Sequence, residues 1–252
     1  MRVAELWRYP VKSLRGESLG EFEVGRGGVV GDRTRAVIDI ESGVSLSAKR
    51  HAELLTCRAW TKAGVVMVGM PDGSQFDADS LEASAALSLL LDRGVEIRTA
   101  VGDRRVRHEY TTDTTTGGGN AMVVEAAAVH AFFDGAPLHM VTTATLRELA
   151  RHAPDSVFVA ERFRPNVLVD VEMDGFVEAE WVGKELQVGD VSVRVTDHKT
   201  RCVMTTRAQG DLPKDLTIFK TVNAVNERRA GIELEPTSSG TIRLDDRVVI
   251  TE

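Results

Sequence analysis

The 252-residue sequence has few aromatic residues, only two cysteines and no long hydrophobic run. Aromatic residues make up 5% of the chain, so valine, leucine, isoleucine and alanine must supply most of its core. No stretch approaches the roughly 20 apolar residues that a membrane helix needs. The first ten residues mix charged and apolar side chains, which is not the pattern of a signal peptide. We therefore expect a cytoplasmic protein with no membrane partner.

The two cysteines, Cys57 and Cys202, lie far apart in the sequence. A small secreted scaffold usually carries several cysteine pairs, so we expect two free thiols in a reducing compartment. Two distant cysteines cannot form a structural zinc site alone, and no His-Glu-x-x-His pattern is present. The formal net charge of -7 argues against nucleic acid or an anionic membrane surface as the main partner. An acidic protein can still carry a local basic pocket.

Many short alternating stretches and few helical ones predict a mainly β protein with a few helices (α+β) and a barrel-like core. Ser80 is placed to cap a helix over residues 81–91, and Thr142 or Thr143 a helix over 145–152. A further short helix is expected from Pro154 through Arg162. Residues 111–120 form a threonine- and glycine-rich stretch, which predicts a mobile loop near a domain boundary. Expected strands cover residues 3–7, 19–24, 35–40, 54–60, 64–70, 95–101, 167–171, 185–188, 191–195 and 247–251.

The segment Arg-Phe-Arg-Pro-Asn at 162–166 is the first candidate for chemistry. Arg162 and Arg164 alternate with Phe163, so an extended backbone would place both guanidiniums on one side of the chain. Pro165 biases Arg164 towards that extended geometry. Arginine binds phosphate through paired N–H donors, and Asn166 can add an amide contact. The alternative is a surface arginine pair beside a proline kink.

Cys202 lies in the second candidate segment, with basic residues before it and Arg207 after it. Positive charge stabilises the thiolate, which is the form that attacks electrophiles or ligates a soft metal. The alternative is an inert cysteine buried in a strand. Cys57 lies in an apolar segment, where core packing explains it better. Lys12, Ser13 and Arg33 form a third candidate group as oxyanion ligands, with ordinary surface residues as the alternative.

Together these segments resemble the MOSC family, the molybdenum cofactor sulfurase C-terminal domain, with its N-terminal β-barrel partner. Tyr-Pro-Val-Lys-Ser-Leu-Arg-Gly at 9–16 and Gly-Asp-Arg at 31–33 match the N-terminal module. The MOSC module is matched by the stretches at 137–146, 162–166, 181–189 and 201–206. The order and spacing of these motifs fit across nearly the whole chain. The resemblance implies an N-terminal β-barrel-like module over 1–105 packed against a MOSC β-barrel domain over 106–252.

The resemblance also implies a cofactor and a reaction. In the amidoxime-reducing relatives, a cysteine at the position of Cys202 ligates molybdenum, which implies Cys202 as metal ligand and catalytic residue. The implied activity is that of a molybdenum-dependent oxidoreductase, independent of pyridoxal phosphate, that reduces small N-hydroxylated compounds. The implied contacts to the molybdenum cofactor (Mo-molybdopterin) are Lys12, Ser13, Arg33, Thr142, Thr143, Arg162, Arg164, Asn166 and Arg201.

The sequence departs from the amidoxime-reducing relatives after Cys202. They follow Arg-Cys with a Thr-Thr-Val-Asp-Pro type of sequence, whereas residues 205–213 here read Thr-Thr-Arg-Ala-Gln-Gly-Asp-Leu-Pro. This stretch resembles a shorter bacterial branch and leaves the substrate open. No ferredoxin-type cysteine cluster is present, so electrons would come from a separate donor protein. Two alternatives remain: a sulfur carrier that uses a Cys202 persulfide, and a non-enzymatic cofactor carrier.

Overall fold

A computed structural model describes residues 1–102, 105–127, 131–133 and 135–251. The chain is 40% strand and 21% helix, which confirms the predicted mainly β class with few helices. The described strands form four sheets, and none of these sheets closes into a barrel. The barrel-like core expected from the sequence is thus built from open sheets in the described part of the chain.

The described part of the chain contains nineteen strands, four α-helices and three short 3₁₀ helices. The strands are β1 (Arg2–Arg8), β2 (Glu17–Leu19), β3 (Glu21–Gly25), β4 (Gly28–Val29), β5 (Arg35–Asp39), β6 (Val44–Ser45), β7 (Arg58–Lys62), β8 (Val65–Gly69), β9 (Gln75–Asp77), β10 (Val95–Thr99), β11 (Arg105–Thr111), β12 (Ala121–Ala127), β13 (Leu138–Thr142), β14 (Val167–Asp170), β15 (Glu185–Val188), β16 (Val191–Thr200), β17 (Arg229–Pro236), β18 (Gly240–Arg243) and β19 (Val248–Ile250). The α-helices are α1 (Leu81–Leu91), α2 (Thr143–His152), α3 (Ala160–Phe163) and α4 (Leu216–Asn226). Short 3₁₀ helices cover Ala52–Thr56, Val177–Trp181 and Val203–Thr206.

The largest sheet joins the two ends of the chain. Its strand order is β19-β15-β16-β17-β13-β14-β1-β2, and β1 runs antiparallel to β14 with Leu6 opposite Val167. The second sheet has the order β10-β5-β6-β11-β12, and the two three-stranded sheets are β18-β3-β4 and β7-β8-β9. The turn that follows β1 is thereby held against the segment that precedes β14. The domain boundary at residue 105 stays a prediction.

Local signals account for the helix starts. The Ser80 hydroxyl accepts a hydrogen bond from the amide of Ala83 at 3.1 Å, so α1 begins where the sequence predicts. The Thr142 hydroxyl accepts one from the amide of Thr145 at 3.1 Å and caps α2 in the same way. Helix α3 has only four residues, so the helix expected from Pro154 through Arg162 is wrong over most of its length.

The described residues form four apolar clusters behind the sheets, and two of them are the largest. One lies on the large sheet and includes Leu6, Met140 and Ile232, while the other includes Leu14, Leu54 and Cys57. Burying one such leucine fully contributes about 2 kcal/mol to the stability of the fold. Residues 52–56 form a 3₁₀ helix over this second cluster, so the strand expected at 54–60 begins only at Arg58. No helix in the described ranges is both long and apolar enough to cross a bilayer.

Candidate functional site

The predicted site residues meet at a cavity of about 350 Å³, named here the cationic cavity. The turn after β1, the turn after β4, strand β13, the segment before β14 and the end of β16 all contribute to its walls. These elements are far apart in the sequence, and the pairing of β1 with β14 brings them together. The sequence-predicted residues that line the cavity are Lys12, Ser13, Arg33, Arg162, Arg164, Asn166, Arg201 and Cys202.

The charge of the cationic cavity is the reverse of the charge of the whole chain. Eight of its described lining residues are lysine or arginine and only Glu233 is a carboxylate, although the chain carries a net charge of -7. The carboxylate of Glu233 lies 2.6 Å from Nζ of Lys199 and pairs with it. A concave site with so many donors and so few acceptors favours a small anionic ligand.

Four residues of this cavity have a left-handed backbone. Their φ values are 69° for Ser13, 50° for Arg33, 53° for Arg164 and 67° for Arg228. They make up half of the described non-glycine residues at positive φ, a region that L-residues seldom occupy. Such conformations cost free energy and often collect where a site needs an exact side-chain direction. The backbone itself thus marks the cavity as a functional site.

The extended geometry expected around Arg164 is wrong. Arg164 ends α3, and its amide donates to the carbonyl of Ala160 at 2.8 Å. The helical turn and the left-handed residue after it separate the two arginines, which therefore do not alternate on a strand. Pro165 disfavours a right-handed helical residue before it, and the chain satisfies that limit with a left-handed residue.

Arg162 is buried and bound to the protein itself. Its three guanidinium nitrogens donate to the carbonyls of Val157, Thr205, Arg207 and Pro213. It is 1% exposed, and burial lowers its pKa from the ordinary arginine value. The Arg162 side chain therefore holds the segment after Cys202 against α3 through hydrogen bonds. Its role at the cavity wall is structural.

Arg33 and Arg164 share the ring of Tyr9 as a platform. Their guanidinium carbons lie 4.7 Å and 4.2 Å from the ring centre, which is cation–π distance. Nη2 of Arg33 also donates to the carbonyl of Arg164 at 3.4 Å. The Tyr9 hydroxyl donates to the carbonyl of Pro165 at 3.1 Å, and burial raises its pKa above the ordinary tyrosine value. A neutral aromatic ring thus positions two of the arginines.

Arg201 and His139 form a buried pair beside the same cavity. Nη1 of Arg201 lies 3.3 Å from Nε2 of His139, while Nδ1 of His139 lies 3.3 Å from the carbonyl of Arg164. Burial, with further effects from Arg201 and Lys199, holds the pKa of His139 well below 6.5, so the ring is neutral. Neutral His139 then donates from Nδ1 and accepts at Nε2. Burial also lowers the pKa of Arg201 to about 10, which still leaves it charged at neutral pH.

Lys12 and Ser13 are both buried, and each has a hydrogen-bond partner from a distant part of the chain. Nζ of Lys12 lies 3.0 Å from Nδ1 of His108 on β11, and the Ser13 hydroxyl accepts from the amide of Ala48 at 3.1 Å. Asn166 is also committed to the backbone, since its side-chain oxygen accepts from the amide of His139 and its nitrogen donates to the carbonyl of Trp7. Asn166 thus ties β1 to β13 at the cavity wall.

Cys202 stands at the start of the 3₁₀ helix Val203–Thr206 and is half-buried. Among the described residues, no cluster of three or more histidine, cysteine or acidic side chains could hold a metal ion. A metal beside Cys202 would therefore need most of its ligands from a bound molecule. Cys57 differs, since it is sealed in the core and burial raises its thiol pKa to about 11.

Thr142 and Thr143 do not reach the cationic cavity. The Thr142 hydroxyl caps α2 and donates to the buried carboxylate of Glu178 at 2.7 Å. The Thr143 hydroxyl donates to the carboxylate of Asp170 at 2.9 Å. The helix-capping role that the sequence predicts for Thr142 is confirmed, and it occupies the hydroxyl that the resemblance assigns to the cofactor.

Sequence reasoning missed several residues of the cavity. His139, Lys49, Tyr110 and Arg228 line it without any local pattern that distinguishes them in the sequence. It also missed Gly-Glu-Ser-Leu-Gly at 16–20, which has the Gly-x-Ser-x-Gly spacing of a hydrolase nucleophile. Ser18 lies in β2, paired with Trp7 of β1, and not at a strand-to-helix turn. That motif is therefore a coincidence of spacing.

Comparisons with known proteins give two family matches along the chain. A family model described as MOSC N-terminal beta barrel domain matches residues 1–99, and one described as MOSC domain matches residues 127–249. The chain is 27% identical over 225 residues to mitochondrial amidoxime reducing component 2 of Homo sapiens. It is 27% identical over 244 residues to mitochondrial amidoxime-reducing component 1 of the same organism. These matches cover 81% of this chain and 66% and 65% of those proteins, so the chain spans about two thirds of their length.

Among solved structures, the YUAD protein from Bacillus subtilis matches with a TM-score of 0.48 and 12% identity. That match covers 98% of this chain and 93% of the other.

Proposed function

Because the chain carries a MOSC N-terminal beta barrel domain followed by a MOSC domain, and so belongs to the MOSC family, we propose that its cationic cavity binds the molybdenum cofactor. This cofactor is a phosphate-bearing pterin that carries the metal on its own sulfur atoms. The MOSC family includes molybdenum-dependent reductases. The observation that carries the proposal is the meeting of eight cationic side chains and one accessible thiol at a single cavity.

The residues present fit such a group. Nε of Arg201 is buried without a hydrogen-bond partner among the described residues, and it can only donate. An unpaired buried donor is costly, so an acceptor atom of a ligand would stabilise it. The absence of a metal-binding cluster in the described chain suits a metal that arrives with its own ligands and takes one sulfur from Cys202.

Each residue then has a defined task. Lys12, Arg33 and Arg164 would hold the phosphate and the pterin, since guanidinium and ammonium groups pair with phosphate oxygens. Neutral His139 would hold the guanidinium of Arg201 beside Cys202 by accepting its hydrogen bond. The bound molybdenum would supply two-electron redox chemistry. We infer a small N-hydroxylated substrate, which two electrons from a separate electron-donor protein and two protons from solvent would convert to the N–H compound and water.

The test is elemental analysis of protein purified from a host that makes the cofactor. We expect about one molybdenum per chain in the unchanged protein and none in Cys202→Ala. Cys57→Ala is the matched control, because Cys57 is a core residue that does not line the cationic cavity, and it should retain the metal. Full molybdenum content in Cys202→Ala would reject the role of Cys202 as a metal ligand. Absence of molybdenum from the unchanged protein would reject binding of the cofactor.

A persulfide on Cys202 is a second candidate, and the same surroundings support it. A terminal sulfur on Cys202 would be an anion, and the lysines and arginines of the cavity would stabilise it as they stabilise a thiolate. Mass analysis before and after a mild thiol reductant separates the two candidates. A loss of one sulfur, released as hydrogen sulfide while Cys202 returns to the thiol, would favour sulfur carriage. An unchanged mass together with bound molybdenum would favour the cofactor.

A further inference from the structure

A second cavity, of about 340 Å³, has only Arg164 in common with the described residues that line the cationic cavity, and its other walls, including Tyr9, are different. Here it is named the second cavity. Its other walls include Trp7, Arg15, Arg58 and the tight turn at residues 209–212. None of the groups assigned above to the cofactor opens on it except Arg164. It is therefore a candidate for a separate ligand.

Two hydrogen-bond donors of this cavity lack an acceptor. Nε2 of Gln209 and Nε of Arg15 are buried and have no hydrogen-bond partner among the described residues. Gln209 is only 4% exposed, so bulk water does not compensate its amide. Both atoms can only donate, and a buried donor without an acceptor costs free energy. The missing group must therefore be an acceptor, such as a carboxylate or carbonyl oxygen.

The turn that carries Gln209 is rigid. The amides and carbonyls of Gln209 and Leu212 exchange two hydrogen bonds of 3.0 Å each. Gly210 between them has a φ of 56°, and a Cβ there would lie 2.7 Å from Nη1 of Arg15. A positive φ of this size favours glycine, and the close approach places the turn beside the guanidinium of Arg15. The two unsatisfied donors thus belong to residues of one cavity, beside a turn that is closed by its own backbone hydrogen bonds.

The charged residues that line the second cavity indicate the charge of its ligand. The second cavity is lined by three arginines (Arg15, Arg58 and Arg164) and two carboxylates (Glu161 and Asp211), so it suits one negative charge better than two.

An aromatic wall adds a flat surface to this cavity. The Trp7 ring stacks on Tyr9 with ring centres 6.5 Å apart and planes at 15°. Nε1 of Trp7 donates to the carboxylate of Glu5 at 2.7 Å, which fixes the ring. A flat, fixed ring of this kind favours a planar apolar group on the ligand.

We propose that the second cavity binds a small planar monocarboxylate. The carboxylate accepts hydrogen bonds from Gln209 Nε2 and Arg15 Nε, and the planar part lies against Trp7. The site is independent of the molybdenum proposal, since it uses neither Cys202 nor the buried donor of Arg201. Tyr9 lines the second cavity and its ring packs against Arg33 and Arg164, so a ligand here also contacts the platform that orients two arginines of the cationic cavity.

The test is NMR titration of the purified full chain with benzoate, followed through the side-chain amide signals of Gln209. Those signals are identified by their disappearance in Gln209→Met. We expect saturable shifts with benzoate and binding at least tenfold weaker with benzamide, which has the same shape but no charge. Binding should also weaken about tenfold in Gln209→Met. The matched control Gln75→Met changes an exposed glutamine on β9 and should leave the affinity unchanged.

A second variant keeps the test decisive if Gln209→Met disturbs the turn. Gln209→Glu places a carboxylate beside Arg15, so it should keep the fold and abolish benzoate binding. Equal binding of benzoate and benzamide would overturn the proposal, as would benzoate affinity unchanged in both Gln209 variants. Displacement of benzoate by inorganic phosphate, with no shift of the Gln209 amide, would place the ligand in the cationic cavity and would also overturn it.

Discussion

Arg201 donates a hydrogen bond to a histidine that is neutral: its Nη1 lies 3.3 Å from Nε2 of His139, and both side chains are buried. A protonated ring could not accept this bond and would place two positive charges side by side. The hydrogen bond between Arg201 and His139 therefore requires one of the two side chains to be uncharged. Burial keeps the histidine neutral. Protonation of His139 would break this hydrogen bond, so the position of Arg201 in the cationic cavity depends on pH.

The first prediction concerns acid stability. The pKa of His139 is lowered in the folded protein, so below about pH 6.5 the unfolded chain binds a proton that the folded protein does not. Stability should then fall as the pH drops from about 7 towards the lowered pKa, by up to about 1.4 kcal/mol per pH unit. In the His139→Gln variant, the side-chain amide also offers a hydrogen-bond donor group and an acceptor group, but it does not titrate. Urea unfolding from pH 7.5 to 5 should therefore show a smaller loss in His139→Gln.

The matched control for that prediction is His152→Gln. His152 is exposed at the end of α2 and pairs with Glu148 on the surface, so its removal should change the pH dependence little. Parallel pH profiles for the unchanged protein and His139→Gln would show that the His139 ring titrates normally. That outcome would contradict the neutral acceptor described here.

The second prediction uses the left-handed backbone of Arg164. Arg164→Ala loses the guanidinium and keeps the strain of a φ of 53°, whereas Arg164→Gly loses the guanidinium and relieves the strain. Urea denaturation should show Arg164→Gly about 1 kcal/mol more stable than Arg164→Ala. Both variants should bind inorganic phosphate at least tenfold more weakly by calorimetry. Arg26→Ala, at an exposed arginine, should bind phosphate as the unchanged protein does.

The third prediction separates a structural arginine from a binding one. Arg162→Met leaves four carbonyls without their buried donor, and each unsatisfied buried group costs about 1–3 kcal/mol. We expect the free energy of unfolding to fall by about 3 kcal/mol or more. Arg162→Lys should recover little, because an ammonium cannot span carbonyls placed for a planar fork. A loss below 1 kcal/mol in urea denaturation would show that Arg162 does not hold this segment.

The fourth prediction concerns the two thiols. Cys57 is sealed in the core and its pKa is raised to about 11, whereas Cys202 is half-buried at a cavity rich in positive charge. Iodoacetamide at pH 7.5 should therefore alkylate the native protein once, at Cys202. Peptide mapping after brief exposure checks the position, and unfolding in urea should expose both thiols. Equal modification of both cysteines in the native state would contradict the described burial.

Local signals in the sequence predicted the elements that depend on local physics. The capped start of α1 at Ser80 and the alternation in β1 and β5 need no distant partner to be recognised. Helix α4 and strand β17 were missed although both carry local signals, since Asp215 caps α4 and Ile232 and Leu234 alternate with glutamates in β17. Arg164 was assigned the wrong backbone, since a rule about one dipeptide cannot include the hydrogen bond that closes α3.

The candidate site was predictable to a similar extent. Cys202, Arg164 and Arg201 belong to segments whose charge pattern marks them, and the cavity brings them together. His139 and His108 carry no such pattern, and their partners Arg201 and Lys12 lie far away in the sequence. Only the strand order places these partners side by side. The sequence therefore nominated most of the charged residues of this site, but it missed Lys49, Arg228 and the neutral groups that orient the arginines.

The pairing of β1 with β14 has a consequence for biosynthesis. The strand that leads to Lys12 and Ser13 has no partner in the large sheet until Val167 has left the ribosome, except the short β2. The cavity itself lacks a wall until Arg228 has been translated. A ligand therefore meets a finished pocket only after most of the polypeptide has been made. We therefore expect any ligand of this cavity to bind after translation and not during it.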